Sequence, residues 1–320
     1  MGAYVIRRLL YGVGVVLGVL FLLFILFFAV TKPEDIARRA LGEKAPPEVI
    51  EQWMVNHGYD RPLWPWQDLD DNLLFDHYRK MLTFEFGLSD ADDSPIIDRI
   101  AAGIGPSLAL TVPLLFLGLL VSIPLSLLVA FFRETYIDRM GVFLCVLAMS
   151  VSMLLYIIGA QFLIGKILRW YPISGFDPTL LMMPRFLAMP IIVGLLGGVG
   201  GDVRFYRTVF LEESSRDFVR TARAKGASEP QIMTRHILRN ALIPILTNVV
   251  LAIPFLFTGA LLLEAFFGIP GLGSITVDAI AANDFATLRT MVFIGSLLLI
   301  VGQIATDLSY GLVDPRVRFE

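Results

Sequence analysis

Long stretches without Asp, Glu, Lys or Arg recur along this chain and limit the folds that it can adopt. A helix that crosses the hydrocarbon core of a bilayer, about 30 Å thick, needs about 20 consecutive apolar residues. Charged residues make up only 17% of the chain, against about 25% in soluble domains. We therefore predict an all-α integral membrane protein with six transmembrane helices, in the uncharged stretches Leu9–Thr31, Ile100–Phe132, Met140–Gly165, Phe186–Gly201, Asn240–Leu263 and Thr290–Thr306.

The first stretch follows Arg7 and Arg8, an arrangement that secretory signal peptides share. Its 23 uncharged residues are more than the apolar segment of a signal peptide, which has about 7–15. No small-residue cleavage site follows it. We therefore predict that this segment is retained as the first transmembrane helix.

The distribution of basic residues predicts the orientation. If both termini are cytoplasmic, the inner segments hold 14 Lys and Arg residues, and the short outer segments hold four. Cytoplasmic loops carry the excess of Lys and Arg, and loops longer than about 60 residues do not count. We therefore expect the N and C termini on the cytoplasmic side.

The chain is predicted to have three parts. Residues 1–31 form an N-terminal segment and the first transmembrane helix, residues 32–99 form a large extracytoplasmic loop, and residues 100–320 form a core of five helices. The loop carries eight basic and 15 acidic residues. This acidity suits a basic ligand, but a solvated surface explains it more simply and is the favoured interpretation.

One helix can be predicted inside the loop. Pro46 and Pro47 are typical of a helix start, and Gly58 is typical of a helix end. The loop also contains three tryptophans, for which packing or a position at the membrane interface is favoured over ligand stacking. These are Trp53, Trp64 and Trp66.

The charged segment Leu211–Asn240 separates the fourth and fifth apolar stretches. Its six basic and four acidic residues prevent it from crossing a membrane. We predict that Glu212 and Glu213 open a first helix, because acidic residues favour the positive helix N-terminus. Gly226 then provides a turn, and Ser228–Gln231 fits a capping box that starts a second helix. The second helix is predicted to end at about the last residue of the segment.

The first of these helices is predicted to be amphipathic. Phe218, Val219 and Ala222 share one face, and Arg216, Arg220 and Arg223 share another. One interpretation is a helix that lies on the inner leaflet, where its basic residues contact lipid headgroups. The other is a rigid projection that binds a cytoplasmic partner, and the composition of the segment does not decide between the two.

Two features within the apolar regions are candidates for packing or for a path through the membrane. The pairs Gly194–Gly198 and Gly197–Gly201 have the small-xxx-small spacing of closely packed helices, which favours packing over lining a path. Glu264 lies at the outer end of the fifth stretch, where a paired or interfacial carboxylate is favoured over substrate binding. After it, Ile269–Gly273 is typical of a re-entrant turn near the path.

Several other functions are disfavoured. The net charge of −3 gives no basic excess for nucleic acid, and one cysteine excludes a cysteine metal cluster. The chain has no G-x-x-x-x-G-K-[ST], H-E-x-x-H or G-x-S-x-G motif. An aspartyl pair of Asp202 and Asp307 would lie at the membrane margin, where charge costs less than at mid-bilayer, so a membrane-embedded enzyme is disfavoured. A secondary transporter would need ionisable residues near the midplane, which the six stretches almost lack.

Four separated motifs, in order, resemble the permeases of ABC importers of the dipeptide/oligopeptide/nickel class. The resemblance covers nearly the whole chain and also includes the opening Ile6–Leu10. The four motifs are Tyr59–Trp64, Asp217–Gly226 with Arg235–Pro244, Glu264–Gly273, and Asp314–Arg318. The chain departs from the family at Asn283–Phe285, where Arg-Asp-Tyr-Pro is more common, and this leaves the substrate subclass open.

The resemblance implies a type I ABC-importer permease fold in a prokaryotic inner membrane. It implies that the chain pairs with a second, homologous permease, that two ATP-binding cassette subunits bind beneath, and that an extracytoplasmic binding protein delivers peptides, or nickel or another small solute. ATP and Mg²⁺ would bind in the partner subunits, with no cofactor or metal on this chain. The residues implied in coupling to the ATPase are Glu213, Arg216, Asp217, Arg220, Ala222, Gly226 and Arg235, and those of the path or gate are Glu264, Pro270 and Gly271.

Overall fold

The computed structural model describes residues 2–42, 44–68, 71–179 and 181–313. The tail motif Asp314–Arg318 lies outside these residues. The first helices are α1 (Gly2–Phe24, continued by the π-helix Ile25–Val30), α2 (Pro33–Leu41), α3 (Pro47–His57), α4 (Leu73–Leu82), α5 (Ile96–Phe131) and α6 (Tyr136–Ser150). The next are α7 (Met153–Ala160, continued by the π-helix Gln161–Ile167), α8 (Met183–Ser214), α9 (Asp217–Ala224), α10 (Glu229–Gln231, continued by the π-helix Ile232–Ile237), α11 (Leu238–Thr258), α12 (Leu261–Phe267), α13 (Leu272–Ala282) and α14 (Phe285–Val313).

The prediction of an all-α membrane protein is confirmed. Five helices are long and apolar enough to cross a bilayer, and two pairs of shorter helices pass the same test only when each pair is taken together. By length and composition, the described residues therefore contain five to seven candidate spans, a range that includes the predicted six. The five are Ile6–Val30, Ile96–Phe131, Met183–Ser214, Glu229–Leu256 and Phe285–Ala305.

The third predicted span is not one straight helix. α6 and α7 meet at a bend of 86°, because Val151 and Ser152 both have extended backbone conformations. The hydroxyl of Tyr156 in α7 donates a hydrogen bond of 3.0 Å to the carbonyl of Ala148 in α6. The uncharged stretch in the sequence contains this bend but gives no local signal of it, since neither residue is Gly or Pro.

The chain divides into two compact units. The first comprises residues 1–107, 254–261 and 270–320, and the second comprises residues 108–253 and 262–269. In the first unit, aromatic and aliphatic residues of α1 pack with α14 and with the long loop between α1 and α5. In the second unit, α6 and α7 pack against α8.

The long loop contains three helices rather than the single helix that the sequence indicated. The predicted one is confirmed as α3, with Pro46 at its N-cap and Gly58 in the left-handed conformation at its C-cap. The tryptophans divide between two environments. Trp53 and Trp64 pack against the core of the first unit, whereas Trp66 stacks on Trp64 and is 75% exposed.

Two buried carboxylates join the long loop to the start of α14 within the first unit. Asp284 accepts hydrogen bonds from the hydroxyl of Ser89 at 2.6 Å and from the backbone N–H of Asp90 at 3.1 Å. Asp90 in turn accepts from the backbone N–H of Ala286 at 2.8 Å, and burial raises the pKa of the Asp90 carboxyl. Both carboxylates therefore lie at the N-terminus of α14, where the helix dipole favours negative charge.

The buried side chain of His77 should make the stability of the folded chain depend on pH. Burial, reinforced by the charge of Arg289, lowers the pKa of His77 to about 3 from 6.5. Between these values the unfolded chain binds a proton that the folded chain does not, so stability rises with pH through this window and is lost as pH falls. We expect wild-type stability to fall by up to about 3 kcal/mol between pH 7 and pH 4.5 because of this group, since one pKa unit corresponds to about 1.36 kcal/mol.

The matched variant is His77→Gln, whose amide can still donate to the carbonyl of Leu20, 3.1 Å from His77 Nε2. Thermal unfolding measured at pH 7 and pH 4.5 should show a smaller acid-induced loss in this variant. An equal loss in both proteins would show that His77 is not the titrating group.

Glycines of α8 allow close packing in the second unit, as predicted, but in a different register. A Cβ atom built on Gly194, Gly197 or Gly200 would lie within 2.8 Å of a neighbouring atom, whereas Gly198 and Gly201 have nothing within 4 Å. The packed glycines are therefore three residues apart, and the predicted four-residue pairs are wrong. The closest backbone approach is at Gly200, where the Cβ would lie 2.7 Å from the carbonyl oxygen of Cys145 in α6.

Gly200→Ala is expected to lower the free energy of unfolding by about 1–3 kcal/mol, because the added methyl group displaces backbone. Gly201→Ala is the control: it has room for the methyl group, so it should gain about 0.5–1 kcal/mol from the higher helix propensity of alanine. Thermal unfolding of both variants is measured in the same detergent. Equal changes in their stability would contradict the close packing of α6 on α8.

Candidate functional site

The charged segment between the fourth and fifth apolar stretches folds as a helix–turn–helix segment, residues 217–237. Its first helix does not begin at Glu212 and Glu213 as predicted, because these residues lie in the last turn of α8. The hydroxyls of Ser214 and Ser215 donate to the carbonyls of Leu211 and Glu212 and end α8. α9 then begins at Asp217, which supplies the acidic residue of its first turn.

The turn forms at the glycine that the sequence indicated. Gly226 has a φ of +82°, a backbone conformation that costs a residue with a Cβ atom about 1–2 kcal/mol. The backbone N–H of Ala227 donates to the carbonyl of Ala222 at 3.1 Å, which caps the end of α9. The space around Gly226 is open, since a Cβ atom there would meet nothing within 4 Å. Glycine is therefore required at this position for its conformation and not for its size.

The second helix begins with the predicted capping box. The backbone N–H of Ser228 donates to the side chain of Gln231 at 3.2 Å, and the reciprocal hydrogen bond is also present. The prediction that this helix ends at about Asn240 is wrong. The π-helix after α10 continues directly into α11, and the side chain of Asn240 donates to the carbonyl of His236 at 2.9 Å within this continuous helix. The turn is thus joined directly to a candidate membrane span, Glu229–Leu256.

An ion pair that the sequence analysis missed connects the two helices across the turn. Arg223 near the end of α9 donates to both carboxylate oxygens of Glu229, at 2.5 Å and 3.0 Å. This carboxylate raises the pKa of the Arg223 guanidinium. Bidentate arginine–carboxylate pairs fix geometry as well as charge. The six-residue separation is not a standard helix spacing, so only the turn geometry reveals the pair.

The apolar face of α9 packs on its own chain. Val219 is fully buried and Ala222 is 7% exposed, in a cluster with residues of α8 and of the π-helix after α10. Ala222, which the resemblance implied in coupling to the ATPase, contacts this internal cluster. The other members of the cluster are Ala130, Tyr206, Phe210, Ile232, Met233, Ile237, Ala241 and Ile245.

The opposite face of α9 is charged and exposed. The side chains of Asp217 and Arg220 are 95% and 79% exposed and form a loose ion pair of 3.6 Å. Before the helix, Arg216 pairs with Glu213 at 3.0 Å and more distantly with Glu212 at 3.8 Å. The pair of Asp217 and Arg220 lies on the surface, where such pairs contribute about 0–1 kcal/mol, so these two charges are available to a partner at little cost.

The turn between α5 and α6 lies beside the helix–turn–helix segment in the second unit. A cavity of about 120 Å³ is lined by Arg133 from this turn and by Arg223 and Glu229. Nearby, Arg207 of α8 donates to both oxygens of Asp138 at 2.7 and 2.8 Å. Segments that were predicted to be cytoplasmic therefore lie together. Of the remaining coupling residues, Arg235 is exposed on the π-helix after α10.

The residues predicted for the path or gate lie where the chain breaks between α12 and α13. Glu264 of α12 is fully buried, which fits a paired carboxylate. The helix ends at Gly268, with a φ of +65°. Pro270 is exposed, and Gly271 is the N-cap of α13. The predicted turn is therefore present as a break between two short helices.

The structure has no candidate metal site within its described residues, where no group of three or more His, Cys, Asp and Glu residues has suitable geometry. The two histidines of the long loop lie in separate environments. The ring of His57 stacks on Trp53, and the buried ring of His77 donates to a backbone carbonyl of α1. The alternative aspartyl pair involves Asp307, whose side chain lies outside the described part of the chain.

The described residues form helices that are long and apolar enough to cross a membrane, and a charged helix–turn–helix segment is joined to one of them. The family model described as "Binding-protein-dependent transport system inner membrane component" matches residues 122–319. The chain belongs to this family, and it is a multi-pass inner-membrane permease subunit with the type I ABC permease fold.

The chain is similar over its whole length to several transport permeases. It is 30% identical over 334 residues to a putative peptide transport system permease protein of Brucella abortus strain 2308, with 100% of both chains covered. It is 31% identical over 320 residues to the glutathione transport system permease protein GsiC of Salmonella typhimurium strain LT2, with 99% of each chain covered. These relatives are transport permeases, as expected for a transport subunit rather than an enzyme.

Proposed function

We propose that this chain is one of two permease subunits of an ATP-driven peptide importer, in which separate ATPase subunits drive alternating access. The helix–turn–helix segment carries the proposal. A stiff turn with an exposed charged face is joined to a candidate membrane span without a break, so a displacement at the turn would be transmitted along that span. The burial of Val219 and Ala222 holds the segment on the permease, and the exposed Asp217 and Arg220 contact the ATPase.

ATP and Mg²⁺ bind in the partner subunits. The sequence has no phosphate-binding P-loop motif, and its membrane location suits a path rather than a nucleotide site. The permease itself binds no cofactor. A second, homologous permease chain completes the path, and Glu264, Pro270 and Gly271 lie at its outer gate.

The N and C termini are cytoplasmic, and residues 32–95 face outward. The basic residues that cluster near the helix–turn–helix segment support this orientation. Cysteines introduced at Asp92 and at Ser228, one at a time in a Cys145→Ala background, test it. An impermeant thiol reagent added to whole cells should label the first position and not the second, and the opposite pattern would invert the topology.

The transported solutes are peptides, which an extracytoplasmic binding protein delivers. The support is that one relative is named as a putative peptide transport permease and another as a glutathione transport permease. The test is reconstitution of the complex that co-purifies with this chain, followed by ATP hydrolysis with its binding protein and a dipeptide, an oligopeptide, glutathione or Ni²⁺. Stimulation by a peptide supports the proposal. Stimulation by Ni²⁺ alone, or uptake by the isolated chain without an ATPase, would overturn it.

A further inference from the structure

Three segments of the second unit meet at the end of α12. The backbone N–H of Gly175, in the loop before α8, donates to the carbonyl of Phe267 at 2.7 Å. A Cβ atom on Gly268 would lie 3.4 Å from the backbone nitrogen of Gly175, so the two chains are in direct contact. On its other side the same loop contacts α7, because a Cβ atom on Gly165 would lie 2.8 Å from Ile173.

One side chain bonds to two of these segments at once. The amide nitrogen of Gln161 donates to the carbonyl of Phe266 at 2.8 Å and to the carbonyl of Ile173 at 3.2 Å. Gln161 is the first residue of the π-helix that continues α7. Single π-helical turns occur often at functional sites, because they redirect side chains.

The chemistry of this contact requires a donor. Both partners are carbonyl oxygens, so the amide must present its NH₂ group to both of them. The carbonyl of Phe266 lies in the last turn of α12, where helix carbonyls have no partner in their own helix. Side chains, water or other segments satisfy such carbonyls, and here Gln161 is the partner of the Phe266 carbonyl.

We propose that Gln161 is a positioning residue for the gate: it fastens the end of α12 to α7 and to the loop before α8, and so determines when this segment moves during transport. The inference rests on the proposed function, because the gate is part of that proposal. Its structural part, the fastening of α12, does not depend on transport and can be measured separately.

The first measurement is the rate of disulfide formation between the loop before α8 and the end of α12. A Cβ atom on Gly268 would lie 3.8 Å from the Cβ of Ser174, a separation typical of disulfides. The variant Ser174→Cys/Gly268→Cys, in a Cys145→Ala background, is oxidised in native membranes as part of the full complex. A side chain at position 268 is strained, because φ there is +65°, so cross-linking rates are compared only among variants that share both cysteine substitutions. With Gln161 present, cross-linking should be fast. Gln161→Leu removes the donor and should slow cross-linking about tenfold.

Two further variants make the test specific. Gln161→Glu keeps the size of the side chain but presents an acceptor to two carbonyls, so it should slow cross-linking at least as much as Gln161→Leu. If the Gln161→Leu complex does not assemble, the cross-linking rate of Gln161→Glu alone tests the inference. Gln303→Leu makes the same chemical change at an exposed position of α14 and should leave the rate unchanged. Equal rates in the parent and in Gln161→Glu would overturn the inference.

The second measurement is uptake per ATP hydrolysed in proteoliposomes, with the native residues at positions 174 and 268. Gln161→Leu and Gln161→Glu should lower this ratio about fivefold while the complex assembles normally. A ratio equal to that of the parent would show that the contact does not position the gate. If the parent complex itself has no ATP-dependent uptake, the proposed function fails, and the cross-linking rates still decide whether Gln161 holds α12.

Discussion

Gly226→Val should uncouple transport from ATP hydrolysis. Valine cannot adopt a φ of +82° without strain, since a β-branched residue in the left-handed region is a conformational outlier. A strain of about 1–2 kcal/mol would displace the turn, and about 1.4 kcal/mol is already a factor of ten in an equilibrium. We expect binding-protein-dependent uptake to fall at least tenfold, with continued assembly of the complex. Uptake and ATP hydrolysis in proteoliposomes measure this effect.

The control is Gly226→Asn, because asparagine adopts the left-handed conformation more readily than other residues with a side chain. A Cβ atom at this position meets no neighbour within 4 Å, so both substitutions have room. The two variants therefore separate backbone conformation from side-chain size. Equal losses in Gly226→Val and Gly226→Asn would contradict the importance of the turn conformation.

Asp284→Ala should release the long loop from the start of α14. The substitution removes the acceptor of hydrogen bonds from Ser89, the Asp90 backbone and Thr287, whose N–H and hydroxyl both donate to this carboxylate at 3.0 and 2.6 Å. Arg99 would also lose its buried counter-charge, 3.6 Å away. Removing one partner of a buried charged network costs about 3–5 kcal/mol. We expect a loss of this size in thermal unfolding, together with faster proteolysis within residues 32–95.

The control for Asp284→Ala is Asp60→Ala, an exposed carboxylate of the same long loop. Surface substitutions usually change stability by no more than about 0.5 kcal/mol. If Asp284→Ala is no less stable than Asp60→Ala, the buried network does not hold the loop. The comparison uses the same detergent and pH for both proteins.

Local signals in the sequence predicted the parts of the fold that depend on a few neighbouring residues. The apolar stretches, the proline start and glycine end of α3, the turn at Gly226 and the capping box at Ser228 are all of this kind. The resemblance of four motifs to ABC permeases predicted the family, which the comparisons confirmed. The ends of α3, the turn and the capping box each depend on about ten residues or fewer, and each apolar stretch is continuous in the sequence.

The features that the sequence did not predict depend on contacts between distant residues. The bend at Val151 has no glycine or proline to mark it, and two of the donors to Asp284, Ser89 and Asp90, are about 195 residues away in the chain. The pairing of Arg223 with Glu229 requires the turn to be formed first. The register of the glycines in α8 was wrong because their spacing alone does not show which face meets α6.

A photoreactive amino acid in place of Arg220 tests whether the helix–turn–helix segment binds an ATPase. The same amino acid in place of Asp60, which lies on the long loop, is the control. Both variants are irradiated in native membranes as part of the full complex, and the cross-linked chains are identified. If the helix–turn–helix segment binds the ATPase, we expect a cross-link from position 220 to an ATP-binding subunit and none to that subunit from position 60. An intact complex that cross-links to its ATPase from position 60, or that shows no cross-link from position 220, would contradict it.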